Sequence, residues 1–178
     1  ALDVDDYNSD EESLQVKHRP STDTPLKNKE DGERYVALSP DVCRLLDDYI
    51  DTNRDDVEDD HGRRPLVTTT HGRPHELTIM SWTYGMTRPC EVTGECPHDR
   101  DIDDCDAAKR QNDASKCPSS VSPHAVRRGG ITHWLKNDVP KEVVSDRANV
   151  GSDVIDKHYD RRTEREKMEQ RRRWLDSV

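Results

Sequence analysis

The sequence predicts an α+β fold, mainly α, with a small antiparallel β-hairpin or sheet and a Cys-rich insertion. Three observations carry the prediction. Ser39-Pro40 and Ser122-Pro123 each pair a helix-capping serine with a proline and then apolar residues at helical spacing. Residues 14–18 alternate apolar and polar, and a second β-prone run at 34–38 follows an Asp31-Gly32 turn signal. Residues 87–121 hold four Cys and several Pro and Asp but show little period.

Taken in order, residues 14–18 (Leu-Gln-Val-Lys-His) predict a half-buried strand and residues 34–38 its return. Beyond the Ser39 cap, Val42, Leu45, Leu46 and Tyr49 fall at i, i+3, i+4 and i+7, predicting a helix over 40–51 with Cys43 as a core thiol near its apolar stripe. The acidic tract 51–61 reads as a loop, residues 65–70 as a short strand and residues 76–84 as a short helix. Past the insertion, Ser122-Pro123 opens a helix that carries Val126, Ile131, Trp134 and Leu135 inward. Pro140 opens another with Val143 and Val144, and Ser152 caps a third that ends near Tyr159. Thr163-x-x-Glu166 is a capping-box pattern at the head of a charged helix running to Leu175.

Composition bounds the function. At 178 residues the chain suits one domain with a single core. Only 30% of it is hydrophobic, 37% is charged, and Phe is absent, a balance that leans toward disorder in an ordinary mesophilic protein. Acid that is mostly Asp, base that is mostly Arg, and a net charge of −10 fit better a globular halophilic protein solvated in concentrated salt, which screens self-repulsion. Arg127, Arg128, Arg147, Arg161, Arg162, Arg165 and Arg171 to Arg173 crowd the last third, away from the Asp runs. An acidic body with a basic working face is therefore expected, although such arginines also form solvated helix faces. No apolar run approaches the roughly 20 residues that span a bilayer and no signal pattern is present, so no membrane partner and a cytoplasmic protein are expected.

Five Cys fit metal binding better than a secreted disulfide framework. Cys90, Cys96, Cys105 and Cys117, with His98 as the substitute, are the candidate ligands of a structural Zn2+. Their spacing matches no standard finger, and disulfides or free thiols remain the alternative. Cys117 stands seven residues before His124, so a metal there would anchor the helix that follows.

That helix opens with His124-Ala125-Val126-Arg127, and Tyr159, in Lys157-His158-Tyr159-Asp160, lies thirty-two residues after Arg127. Upstream, Thr24-Pro25-Leu26-Lys27-Asn28-Lys29 is followed by Arg34-Tyr35-Val36-Ala37-Leu38. In this order the segments resemble the catalytic domain of the tyrosine recombinases (phage integrases), of haloarchaeal type, over most of the chain. The resemblance implies DNA recombination and integration: double-stranded DNA is cleaved and rejoined through a 3′-phosphotyrosyl link, without a cofactor for catalysis. Phosphoryl transfer is mostly positioning and charge stabilisation, and a guanidinium holds two phosphate oxygens at once. By resemblance Arg127 clamps the phosphate, and His124, at i−3 on the same helix face, hydrogen-bonds it or manages a proton. Tyr159 is the nucleophile; a phenol ionises only in strong base, so neighbouring cations must help it. Lys27 is the general acid at the hairpin tip, with Lys29 the alternative.

The resemblance further implies a homo-oligomer, a tetramer on DNA, in which the C-terminal helix packs on a neighbouring protomer. It places residues 1–178 in one catalytic domain, with the family's first catalytic arginine and its N-terminal core-binding domain outside it. One departure stands out. Where the family has Leu-Gly-His or Trp nine residues before its tyrosine, this chain has Ala148-Asn149-Val150. Taken singly, each residue also has a plain reading: any helix contains a His-x-x-Arg, and a turn lysine is usually just solvated. Two other functions stay open, a zinc-stabilised DNA-binding relic that no longer cuts and a type IB topoisomerase.

Overall fold

Alternation at residues 14–18 does become a strand. In a computed structural model, which describes residues 2–160 and 162–175, the chain divides into two units, Ala1–His75 and Glu76–Val178. In the first, β1 (Tyr7–Asn8), β2 (Ser13–Val16) and β3 (Arg34–Ala37) form one antiparallel sheet in the order β1-β2-β3. Leu14 pairs with Val36 and Val16 with Arg34. The β1 strand leaves no pattern in the sequence because it is two residues long. Lys27 is not at a hairpin tip: residues 17–33 form a long connection, closed by reciprocal bonds between Arg19 and Thr24. Lys27 and Asn28 are the central residues of a turn in which the Lys29 N–H donates to the Leu26 carbonyl (3.1 Å).

Helix α1 (Pro40–Asp48) starts where expected and runs into a π turn, Tyr49–Asn53. Its inward face is rotated from the predicted stripe: Cys43 is buried, whereas Val42 and Leu45 are exposed. Hydroxyls of β1 and of the residue just after it explain the rotation. The Tyr7 hydroxyl donates to Asp47 Oδ1 (2.9 Å) beside the Cys43 carbonyl, and Ser9 Oγ donates to Asp47 Oδ2 (2.8 Å). Burial, together with the Asp47 carboxylate, pushes the Tyr7 phenol up to about 12.

Residues 65–70 do not form the expected strand. Only single bridges occur there, Asp3 with Pro65 and Thr69 with Gly72. The Thr68 N–H donates to the Tyr49 hydroxyl instead of to a neighbouring strand (3.2 Å). The chain then turns at Gly72, whose φ of +102° and 2.8 Å spacing from an added Cβ to the Glu58 carbonyl admit no side chain.

Much of the interior of this unit is ionic. Arg19 grips Asp6 through two bonds (2.5 and 3.0 Å), Arg73 Nε donates to Asp59 Oδ2 (2.8 Å), and Asp3 receives both Arg63 and Arg73. Arg63 Nε lies 3.1 Å from Asp3 Oδ2 yet is off-axis, and is buried without a hydrogen bond. Burial alone would raise the Asp59 carboxyl. The Arg63 backbone N–H, with the Arg73 guanidinium and the His61 N–H, instead holds it down at about 2.

The second unit is helical among its described residues: α2 (Glu76–Met86), α3 (Pro89–Thr93), α4 (Asp106–Lys109), α5 (Pro123–Lys136), α6 (Lys141–Ala148), α7 (Ser152–His158) and α8 (Glu164–Leu175). Its core is Ile131, Leu135, Val144, Ala148, Ile155 and Tyr159, with Trp134, Val139 and Val150 packed against it. Val126 is exposed, contrary to the reading of α5. At 100° per residue it lies about 140° around the helix from Ile131 and about 180° from Leu135. Val143 is exposed too, since only one of two adjacent valines can face the core, and that one is Val144. The α7 N-cap is Gly151, with Ser152 already inside the helix. The capping box of α8 forms as read: the Thr163 N–H donates to Glu166 Oε2 (2.6 Å) and the Glu166 N–H to Thr163 Oγ1 (3.2 Å).

Candidate active site

Helix α5 begins abruptly because Ser122 Oγ accepts the Ala125 N–H (3.3 Å) and Pro123 has no N–H that needs an acceptor. Its first two turns are exposed and carry His124, Arg127 and Arg128. His124 and Arg128, four residues apart, share a face. Tyr159 follows the last residue of α7 as its C-cap, its N–H bonded to the Ile155 carbonyl (2.9 Å). Together these elements enclose a cleft of about 680 Å³ lined by His124, Arg128, Val154, Lys157, His158, Tyr159 and Asp160. Two of the residues read from sequence, His124 and Tyr159, thus meet at one surface with two further cations and a second histidine.

Arg127 points elsewhere. Its Nη2 donates to the Ala148 carbonyl (2.5 Å) and reaches the Asn149 carbonyl (3.5 Å). These are the carbonyls that α6 leaves without intrahelical partners where Asn149 turns left-handed (φ 48°), so the guanidinium caps that helix end. Val150 packs on the core and has no polar group to offer a phosphate. Tyr159 itself is only 7% exposed and belongs to the core cluster.

Directly after the tyrosine, Arg162 grips Asp160 with two bonds of 2.8 Å and donates a third to the Leu135 carbonyl (3.2 Å). The Arg162 guanidinium holds the nearly buried Asp160 carboxyl below the usual carboxylate range. Arg147 stacks over the Trp134 ring at 5.3 Å. Arg127, Arg147 and Arg162 therefore bind the protein itself, as does Arg172 through Glu169 (3.0 Å); Arg161 lies outside the described residues. Lys27 and Lys29 are exposed and belong to the first unit.

All five Cys carry free thiols. Cys90, Cys96, Cys105, Cys117 and His98 line one cavity in the second unit, together with Arg88 and Arg100. The Ala108 backbone N–H holds the Cys105 thiol below its ordinary range. Among the described residues no group of three His, Cys, Asp or Glu side chains stands close enough to hold one metal ion.

No family model and no curated protein sequence matches the chain. Its fold is similar to that of XerA recombinase in a crystal structure, with a TM-score of 0.57 and 17% identity. The match covers 96% of this chain and 50% of that one, so this chain spans half the length of its structural relative. The likeness supports a recombinase fold, mainly helical with a three-stranded antiparallel sheet. Sequence reasoning missed Arg128, Lys157 and His158 as cleft residues. The signal was there, in the four-residue step from His124 and in the basic pair just before Tyr159.

Proposed function

We propose that the chain is the catalytic domain of a site-specific DNA recombinase or integrase. The observation that carries this reading is the cleft that joins His124, Arg128 and Tyr159 on a recombinase-like fold. Tyr159 attacks the scissile phosphorus in line. A P–O(Tyr) bond forms, the bond to the 5′ oxygen breaks, and the released strand end takes a proton from Lys27 or Lys29. Arg128 and Lys157 neutralise the non-bridging oxygens, and His124 or His158 carries the phenol's proton away. The reverse sequence reseals the strand, because the phosphotyrosyl ester keeps the bond energy. For attack the phenol must leave its place in the core and enter the cleft. Double-stranded DNA is the partner, with protomers meeting through α8, and the acidic surface suits concentrated salt. Among the described residues no helix is long and apolar enough to cross a membrane.

A second reading has its own support: a DNA-binding relic that no longer cuts. Tyr159 is packed in the core, Arg127 is occupied by the Ala148 carbonyl, and Val150 stands where a polar donor belongs. A nicked suicide duplex in high salt separates the two. The recombinase gives a covalent adduct on a denaturing gel that disappears in Tyr159→Phe. A retarded native band with no adduct in the unaltered protein establishes the relic.

A further inference from the structure

We propose that residues 87–121 fold around one tetrahedral zinc ion held by the thiolates of Cys90, Cys96, Cys105 and Cys117. The proposal stands apart from strand cleavage and holds for recombinase and relic alike. Its ground is convergence. Four cysteines far apart in a segment of little period come to one cavity, whose volume of about 10 Å³ has room for roughly one water-sized sphere. The same segment exposes its acids, Glu91, Glu95, Asp99, Asp101, Asp103 and Asp104, while turning the thiols half inward. Besides the thiols, few side chains fill its interior, chiefly Ile102, Ala107 and Ala114. So small an apolar interior offsets little of the entropy of ordering thirty-five residues, and the binding free energy of a metal would add directly to it.

Charge points the same way. Four thiolates on Zn2+ leave a net charge of −2, which is costly away from water unless cations adjoin it. Two guanidiniums line the cavity, from Arg88 and Arg100. Arg88 is only 6% exposed and is fixed by the carbonyls of Gly85 (3.1 Å) and Ala107 and by Glu91 Oε2 (3.0 Å).

His98 lines the same cavity, its Nε2 hydrogen-bonded to Ser119 Oγ at 3.0 Å; in the proposal the four thiols fill the tetrahedron with His98 beside them, an assignment that His98→Ala tests. As the side chains lie, no three of them stand close enough to share one ion, so binding must turn the thiols further into the cavity; it releases up to four protons, one from each thiol that enters as thiolate.

The test uses the whole chain, purified under reducing conditions and loaded with zinc or cobalt(II) alone. One zinc per chain is expected, with the intense visible absorption of tetrahedral cobalt thiolate on exchange. Cys90→Ser, Cys96→Ser, Cys105→Ser and Cys117→Ser each remove stoichiometric metal, whereas Cys43→Ser retains it. His98→Ala weakens binding by roughly tenfold and leaves the cobalt spectrum in place. If a thiol variant fails to fold, the metal content and cobalt spectrum of the unaltered chain still decide. The proposal is overturned by metal-free protein that stays folded with five titratable thiols. A mass deficit showing disulfides overturns it too, as does metal binding indifferent to Cys105→Ser.

Discussion

Arg127 and Arg128 are adjacent in sequence, yet one guanidinium closes the end of α6 and the other lines the cleft with Tyr159. Nothing in the sequence separates them: both follow His124 on the first turns of α5. The deciding partner, the Ala148 carbonyl, lies twenty-one residues away in the chain and is a backbone atom, which no residue pattern encodes. The two replacements should therefore diverge. Arg127→Ala loses a charged bond to a carbonyl at a partly exposed helix end and should cost about 1 kcal/mol of stability. Arg128→Ala should leave the thermal midpoint nearly unchanged and weaken binding to a short duplex, with a shallower salt dependence. Thermal unfolding and gel retardation on both variants check this; equal loss of DNA binding with no stability difference would refute it.

Between residues and elements, the two serine–proline starts are instructive. Ser39-Pro40 and Ser122-Pro123 read identically, and both do begin helices, α1 and α5. Only Ser122 uses its hydroxyl as a cap; Ser39 makes no side-chain cap bond. Position was legible because proline at the first helical residue fixes φ whatever surrounds it. The hydrogen bond was not, because it depends on the rotamer that the neighbours leave open. Ser122→Ala should cost about 1 kcal/mol, and Ser39→Ala a few tenths at most, in denaturant unfolding of the full chain. The larger loss belongs to the helix that carries His124. The segment before it is clasped at its ends, where the Val121 N–H donates to Thr87 Oγ1 (3.0 Å) and Ser120 Oγ donates to the Cys117 carbonyl (3.0 Å). The helix periods were readable where a hydrophobic face exists, as at Ile131, Trp134 and Leu135. They misplaced Val42, Leu45, Val126 and Val143, which share the residue types but not the facing direction.

Over the whole molecule, low hydrophobicity has a structural counterpart that periodicity cannot find. The second unit has an apolar core; the first buries Asp3 and Asp6 and packs Arg19, Arg63 and Arg73 around them and Asp59. Patterns of apolar residues are blind to an interior made of ion pairs, so this half of the fold was legible only in β2, β3 and its first helix. Such an interior ties stability to pH. The folded Asp59 carboxyl, at about 2, lies below its value in an unfolded chain, about 3.9. Its contribution, on the order of 2 kcal/mol, is therefore fully present above the unfolded value and is lost as the pH falls toward 2. Asp6, lowered by Arg19 against the opposing effect of burial, acts in the same direction. The first unit should thus fail in acid before the second. The signals can be told apart because Trp82, Trp134 and Trp174 all lie in the second unit, while three of the five tyrosines, Tyr7, Tyr35 and Tyr49, lie in the first and Tyr84 and Tyr159 in the second, so the first unit carries the larger part of the tyrosine signal. Acid titration should show tyrosine absorbance changing at higher pH than tryptophan fluorescence. Asp59→Asn should lower the first unit's stability at neutral pH by about 2 kcal/mol, the deficit closing as wild type is protonated below pH ~4. Coincident transitions in the two signals, or a deficit in Asp59→Asn that persists at pH ~2, would show that the ion pairs do not hold this unit together.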